Sequence, residues 1–407
     1  MTRTERSEFL VIGGGIGGLA TALALAREGR RVRVLEREPQ FGEIGAGLQL
    51  APNSSRVLDR LGVLSDVTRD AFFPRRLVLR DAMTSDPITA METAEPFLER
   101  FGYRYFVTHR ADLHRAIQVA CEDSGLVELL ASKHVLRVDP GGALVACADG
   151  SAYETEALIA ADGLHSRTRT MLIEDGEPED SGYAAYRGTV PIEALAEHGG
   201  LREPDGMVIW VGPGLHLVQY PVRRGELVNQ VATFDTRRYP AGTDDIGRQL
   251  DRVFERTCPE VAHGVALMDH TRRWPLLDRA PMRGWSRGNI TLVGDAAHPM
   301  LQYLAQGAGQ AIEDSVALAD SVTAHPGDIE AAFAAYESHR YPRTARVQTT
   351  ARTWGEILHI DGVGAVMRNA LLSQRADDDF EIVDWLYGTG RSWRSGSTLG
   401  SRSRGTS

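Results

Sequence analysis

The chain has 407 residues, enough for two or three domains, and its 43% apolar and 25% charged residues are those of a globular protein, not of a disordered or fibrous one. The net charge of −10 is spread along the chain without a dominant basic patch, which argues against a nucleic-acid binder. Three cysteines, Cys121, Cys147 and Cys258, form no C-x-x-C pair and no disulfide framework, so they read as buried structural thiols in a reducing, cytoplasmic setting.

The elements follow in chain order. Glu8 to Ile12 reads as a buried strand. The apolar run from Phe9 to Ala26 follows Arg3 and Arg6, as a signal peptide would, but Glu5 and Glu8 interleave with them and five glycines break the run. A strand, a tight turn and a helix explain it better. No stretch is apolar enough to predict a membrane anchor. Leu19, Ala22, Leu23 and Ala26 recur at helical spacing, and Arg31 to Leu35 is a second strand, so the opening is a right-handed βαβ unit. Ala157 to Ala161 is a further strand of that sheet, ending at Asp162-Gly163. Tyr183 to Phe234 reads as antiparallel strands with turns at Gly212-Pro213-Gly214 and Arg224-Gly225. Asn289 to Gly294 returns as a core strand, and helices dominate from Gly309 to Tyr387. Gly388 to Ser407, rich in Gly, Ser and Arg, reads as a mobile tail.

Gly13, Gly15 and Gly18 form G-x-G-x-x-G between the first strand and its helix. The first permits the turn, the second lets backbone approach a diphosphate, and the third lets helix and strand pack closely. Phosphates sit at the helix N-terminus, where free N–H groups and the dipole favour anions. Glu36 ends the second strand eighteen residues after Gly18, placed to accept from ribose hydroxyls. The residues to this point suit NAD or FAD alike. Two later segments bear on the choice: Ile159-Ala160-Ala161-Asp162-Gly163, followed by Ser166, Arg167 and Arg169, and Leu292-Val293-Gly294-Asp295-Ala296-Ala297-His298-Pro299. After them, Gly307-Ala308-Gly309-Gln310 precedes a long helical pattern ending near Val322, whose positive end suits the charge of a reduced flavin pyrimidine.

In this order the three signatures resemble those of the group A flavoprotein aromatic hydroxylases, with the p-hydroxybenzoate hydroxylase fold. The resemblance implies an α/β protein: an FAD-binding Rossmann-like domain of the GR2 type, an inserted antiparallel-sheet substrate domain and C-terminal helices. It partitions the chain into FAD-binding segments 1–74 and 106–178, substrate-domain segments 75–105 and 179–275, a third FAD-binding segment with C-terminal helices over 276–387, and the tail 388–407. It also implies that Asp295 bonds the ribityl chain, that Asp162 lies where flavin and nicotinamide approach, and that Arg110 sits beside the FAD phosphate and ribityl groups. Further FAD contacts are expected from Gly14, Ile16, Gly17, Arg37, Gly47, Gln49, Val135, Pro299, Gly307 and Ala308.

Segments 41–49, 105–110, 181–189 and 298–307 look closely like the 3-hydroxybenzoate 6-hydroxylases, and the likeness runs on through Trp354-Gly355-Glu356 to Asp384-Trp385-Leu386. Salicylate hydroxylases share much of the pattern. The implied reaction has NADH, or NADPH, reduce the flavin, which then delivers oxygen from O2 to a phenol-activated ring, converting 3-hydroxybenzoate to gentisate. Salicylate 1-hydroxylation to catechol, and hydroxylation of another phenolic metabolite, stay open. So do two other classes, a flavin-free NAD-dependent dehydrogenase and a binding module with a degenerate FAD site. A homodimer is expected from resemblance alone.

For the substrate, period-two alternation over Leu215 to Pro221 puts His216, Val218 and Tyr220 on one face and Leu217 and Gln219 on the other. An unperturbed histidine titrates near neutrality and can share a phenolic proton. The resemblance assigns His216 and Gln302 to the substrate hydroxyl and Tyr220 to the adjoining wall. Tyr105 and Pro299 are expected to line the pocket, and Arg187 is available for a carboxylate. His109 and His114 lack the H-E-x-x-H spacing, and Asp59 and Glu337 are remote from each other, so no metal site is expected. No G-x-S-x-G elbow occurs.

Overall fold

The computed structural model describes residues 5–42, 47–196, 201–240 and 246–388. Strand Glu5–Ile12 is a continuous apolar run because both its faces are covered. Phe9 and Val11 pack toward helix Ile16–Arg27, and Leu10 and Ile12 pack against Leu158, Ile290 and Tyr153. It pairs in parallel with Val32–Leu35 on one side and Ala152–Ala160 on the other. Val127–Leu130 extends the sheet past the former and Ile290–Leu292 past the latter, both in parallel. Antiparallel strands Ser286–Arg287, Leu144–Cys147 and Val135–Val138 complete eight. The chain therefore builds outward in one direction and then in the other from Glu5–Ile12. The crevice at such a switch point, beyond the carboxyl ends of the strands, is where doubly wound sheets bind ligands.

Helix Ile16–Arg27 is buried on nearly every side, between helices Arg110–Asp123 and Gly307–Ala324. The glycines allow this. A Cβ on Gly18 would stand 2.0 Å from the Gly13 carbonyl oxygen, and Gly13 itself has φ of +104° with its Cβ position 2.3 Å from the Ala161 carbonyl oxygen.

A second sheet has seven strands in the order Trp274–Asp278, Glu179–Pro191, Leu227–Asp235, Leu215–Val222, Met207–Gly212, Arg76–Asp81 and Pro87–Glu92. All pairings are antiparallel except Met207–Gly212 with Arg76–Asp81. One face buries Tyr186, Trp210, Leu217 and Phe234 against helices Ile246–Phe254 and Pro259–Ala266. Gln219 lies on that face too, where it accepts from Trp210 Nε1 at 2.9 Å and donates to Gln230 Oε1 at 2.7 Å. The opposite face turns toward the first sheet. The 31-residue helix Ile329–His359 runs from the Gly307–Ala324 helix to the second sheet and ties the two together.

Several elements differ in extent from the sequence expectation. The strand expected from Ala157 starts at Ala152, because its first residues pair with Leu144–Cys147. The helix expected from Gly309 starts at Gly307, since a glycine is no obstacle in a first turn whose N–H groups need no intrahelical partner. Within the tail only Gly388 is described, and of segment 41–49 residues 43–46 lie outside the described residues. No helix among the described residues is long and apolar enough to cross a membrane.

Candidate active site

Between the two sheets lies a cavity of about 1490 Å³. That exceeds the roughly 300–1,000 Å³ of a site for one small ligand. Its walls fall into two chemically distinct parts.

The first part is made by the carboxyl ends of the parallel strands. Gly13, Gly14, Gly15, Ile16 and Gly17 line it, as do Glu36, Arg37, Val135, Asp162 and Asp295. Gly15 caps the Ile16–Arg27 helix without a side-chain hydrogen bond, and no acidic residue occupies the first turn. The Gly307–Ala324 helix likewise has no side-chain cap and no acid in its first turn, and Gly307 and Ala308 line the cavity. Two uncapped helix N-termini thus open on one crevice, each suited to an anionic group. Glu36 Oε2 accepts from Gly14 N at 2.6 Å and its Oε1 from Glu38 N at 2.9 Å, which holds the carboxylate at the mouth of the glycine turn. Burial raises the pKa of Asp162, and its Oδ1 has no partner among the described residues. Arg110 starts its helix and reaches the wall, as do Gly47 and Gln49. Two helix ends, a carboxylate after the second strand and backbone that no Cβ can occupy are the donor and acceptor set that a dinucleotide requires, so these residues fit FAD.

Of the expected cofactor residues, Gly18 and Pro299 do not line the cavity. Gly18 serves packing. Pro299 is buried, and its carbonyl accepts from Gln348 Nε2 at 2.8 Å, so the wall beyond it is formed instead by Met300, Gln302, Tyr303 and Leu304.

The second part is the inner face of the seven-stranded sheet. The register places Ala185, Thr233 and His216 in one row, Arg187, Val231 and Val218 in the next, and Thr189, Asn229 and Tyr220 in the third. Residues directly opposite in antiparallel strands share a face, so the period-two reading of His216, Val218 and Tyr220 holds and all three line the cavity. Leu77, Leu79, Met207 and Ile209 extend the floor with apolar surface. Tyr105 is buried on the wall and donates to Gln49 Oε1 at 2.7 Å, and burial raises the pKa of both Tyr105 and Tyr220. A Cβ on Gly47 would stand 2.7 Å from the Tyr220 ring.

Three polar groups converge on this apolar surface. Gln302 Oε1 accepts from Arg187 Nη2 at 2.6 Å, and Gln302 Nε2 donates to Thr233 Oγ1 at 2.9 Å. Gln302 is therefore held by the floor rather than reaching freely into the cavity. Arg187 is largely buried, with its pKa lowered first by burial and then by Arg110, and its Nε has no partner among the described residues. His216 Nδ1 lies 2.7 Å from His359 Nε2. Burial, then His359, push the His216 pKa well below its ordinary value. His216 is thus a perturbed histidine, disfavoured as a cation, with one nitrogen engaged by His359 and Nε2 left for a ligand. Sequence reasoning did not place His359 and Trp354 at the site, because nothing local marks a residue of the long helix Ile329–His359 as facing a strand more than a hundred positions away, nor Tyr303, which sits in the short turn Gln302–Leu304 of a loop without periodicity.

An FAD binding domain family model matches residues 6–351. The 3-hydroxybenzoate 6-hydroxylase of Polaromonas naphthalenivorans is 39% identical over 395 residues, covering 96% of this chain and 97% of that protein. The HpxO protein of Klebsiella pneumoniae, solved with FAD and uric acid, superposes with a TM-score of 0.80 at 30% identity, covering 94% of this chain and 96% of its own. A salicylate hydroxylase solved as a substrate complex superposes with a TM-score of 0.76 at 26% identity, covering 94% of this chain and 95% of its own.

Proposed function

This chain belongs to the FAD-binding-domain family as a flavoprotein aromatic monooxygenase, and from that premise we propose that it hydroxylates 3-hydroxybenzoate to gentisate at the expense of NADH and O2. One observation carries the reading: a single cavity joins a dinucleotide cradle to an apolar floor that bears a neutral histidine and a buried arginine on adjacent rows of one sheet.

The residues divide the work. The turn Gly13 to Gly17 and the helix it opens hold the FAD diphosphate, with Gly18 keeping helix and strand together. Glu36 would accept from the ribose, Asp295 and Arg110 would take the ribityl and phosphate groups, and the Gly307–Ala308 helix start would serve the pyrimidine end of the flavin. Arg37, Gly47, Gln49 and Val135 complete the cradle, and Asp162 marks the approach of the nicotinamide. Bound there, FAD would supply the redox chemistry by which NADH and O2 give one oxygen atom to the ring and one to water.

The chain places and activates the ring. His216 Nε2 accepts the phenolic proton, so electron density rises on the carbons ortho and para to the oxygen. Arg187, a buried cation whose Nη2 donates to Gln302 and whose Nε has no partner among the described residues, binds the substrate carboxylate. Its row and that of His216 are neighbours, and the two strands are separated by one other, roughly 10 Å at about 4.8 Å per strand. Gln302 fixes Arg187, while Tyr105 and Tyr220 close the wall and exclude water. A cytoplasmic setting suits a user of NADH whose three thiols are buried and free.

The test is a panel of hydroxybenzoates added to FAD-loaded protein with NADH in air. NADH consumption rises most with 3-hydroxybenzoate. A stronger response to salicylate would move the assignment to the 1-hydroxylation, and a flat response across the panel would remove hydroxybenzoates as a class.

A further inference from the structure

We propose that His359, which does not line the cavity, is a positioning residue that sets the tautomer of His216 and takes up the proton that His216 removes from the phenol. The inference rests on the assignment of His216 to the substrate hydroxyl.

The two rings stack at 4.9 Å with planes 27° apart, and both residues are nearly inaccessible, at 3% and 5% exposure. Their contact is Nδ1 of His216 to Nε2 of His359 at 2.7 Å. Burial, then Arg368, lower the His359 pKa to about 3, so both rings rest neutral. A nitrogen–nitrogen hydrogen bond between neutral imidazoles requires one N–H and one lone pair. If His359 Nε2 carried the proton, His216 would present Nε2–H to the cavity and could not accept from a phenol. If His216 Nδ1 carries it, Nε2 presents a lone pair. The second arrangement is the competent one, and His359 is the only group hydrogen-bonded to Nδ1 among the described residues.

The proton then has a second station. The phenolic O–H bond breaks and the proton joins His216 Nε2. The His216 Nδ1–H bond breaks and that proton joins His359 Nε2. Phenolate and His359 imidazolium result, with no net change of charge in the buried cluster. The cation forms in the last turn of helix Ile329–His359, where the carbonyl ends of the dipole favour it. Tyr183 stacks on His359 at 4.7 Å and Tyr303 meets it edge-on at 5.4 Å, while Arg368 opposes the charge from the neighbouring helix. Burial and Arg368 both disfavour that cation, and its Nδ1 has no partner among the described residues, so it is short-lived and returns its proton to His216.

Two variants of the FAD-loaded full chain separate the roles. In His359→Gln the amide oxygen can accept from His216 Nδ1 but cannot be protonated. In His359→Phe the stack remains and the acceptor is lost. Nitrogen NMR of labelled histidines, which needs no substrate, is expected to show His216 protonated at Nδ1 in the native chain and in His359→Gln, and shifted toward Nε2 in His359→Phe. Both variants should bind 3-hydroxybenzoate within about threefold of native, by flavin absorbance. Both should lose about tenfold to a hundredfold in kcat, short of the roughly 10²–10⁴ of losing the base itself, and the phenolate fraction of bound substrate, by ultraviolet difference, should fall. A native His216 protonated at Nε2, or a His359→Phe protein with native kcat and phenolate fraction, overturns the proposal. If native protein neither binds nor turns over 3-hydroxybenzoate, the substrate reading fails instead, and the NMR result still decides whether His359 sets the tautomer.

Discussion

Arg187 Nη2 donates to Gln302 Oε1 at 2.6 Å, across 115 positions of sequence. The bond joins the floor of the cavity to the loop that leads into the Gly307–Ala324 helix, and so couples the substrate wall to the cofactor wall. The guanidinium Nε has no partner among the described residues.

Loss of that cation should weaken binding of the aromatic acid. Hydrogen bonds to charged groups contribute about 1.5–3 kcal/mol, so Arg187→Gln should raise the dissociation constant for 3-hydroxybenzoate by roughly tenfold to a hundredfold. FAD content should stay full. Titration of flavin absorbance with substrate measures both, and an unchanged dissociation constant would free the carboxylate from Arg187.

His216→Ala should leave flavin content and substrate-dependent colour change intact. The rate of hydroxylation should fall by about 10²–10⁴, with NADH oxidised in excess of product as peroxide escapes. Comparing NADH consumed with product formed gives the coupling ratio. A native ratio and rate would place phenol activation elsewhere.

Gly18→Ala tests the cradle through packing alone. The added methyl meets the Gly13 carbonyl at 2.0 Å, a backbone atom that cannot swing aside. The cost should exceed the roughly 1–3 kcal/mol of ordinary overpacking. The expected protein is either insoluble or poor in flavin with a lowered Tm. Full flavin at native Tm would mean that the helix and strand can part without harm to the site.

The cofactor wall also rests on buried charge. Burial would raise Glu313, but Arg340 and Arg343 outweigh it and hold the pKa at about 2. Asp314 is fully buried, which would raise it, but His298 and Arg340 hold it well below the ordinary carboxylate range. Asp314 Oδ2 accepts from Gly294 N at 2.9 Å and so clamps the turn that carries Asp295. Both folded-state values lie below the unfolded values of about 3.9 for Asp and 4.3 for Glu. The folded protein therefore binds fewer protons, and the stabilisation is full above pH ~5 and lost as pH falls toward about 2. Urea midpoints should drop over that window. Glu313→Gln should cost roughly 3–5 kcal/mol at pH 7, because Arg343 and Arg340 lose a buried partner, and should flatten the acid slope. An unchanged slope would show that other carboxylates govern acid unfolding.

The cofactor half of the molecule was legible in the sequence because its signals are local. Gly13 to Gly18, Asp162 and Asp295 each sit at the end of a strand that their own neighbours define. The face shared by His216, Val218 and Tyr220 was legible for the same reason, since alternation along one strand needs no knowledge of its partners. Pro299 was expected on the wall and is not there, because a loop without periodicity does not declare which way it turns. Gln302 was expected to contact the substrate hydroxyl; its hold by Arg187 and Thr233 was not legible, since only the pairing of two strands brings those residues under one loop. His359 carried no signal, being one helical residue among many until the fold sets it against His216.

The most direct measurement is product analysis after turnover of 3-hydroxybenzoate with NADH under isotopically labelled dioxygen. The account predicts gentisate bearing a single labelled oxygen, formed in step with NADH consumed. Recovery of unaltered substrate with NADH spent entirely on peroxide, or of a product whose new oxygen comes from water, would contradict it.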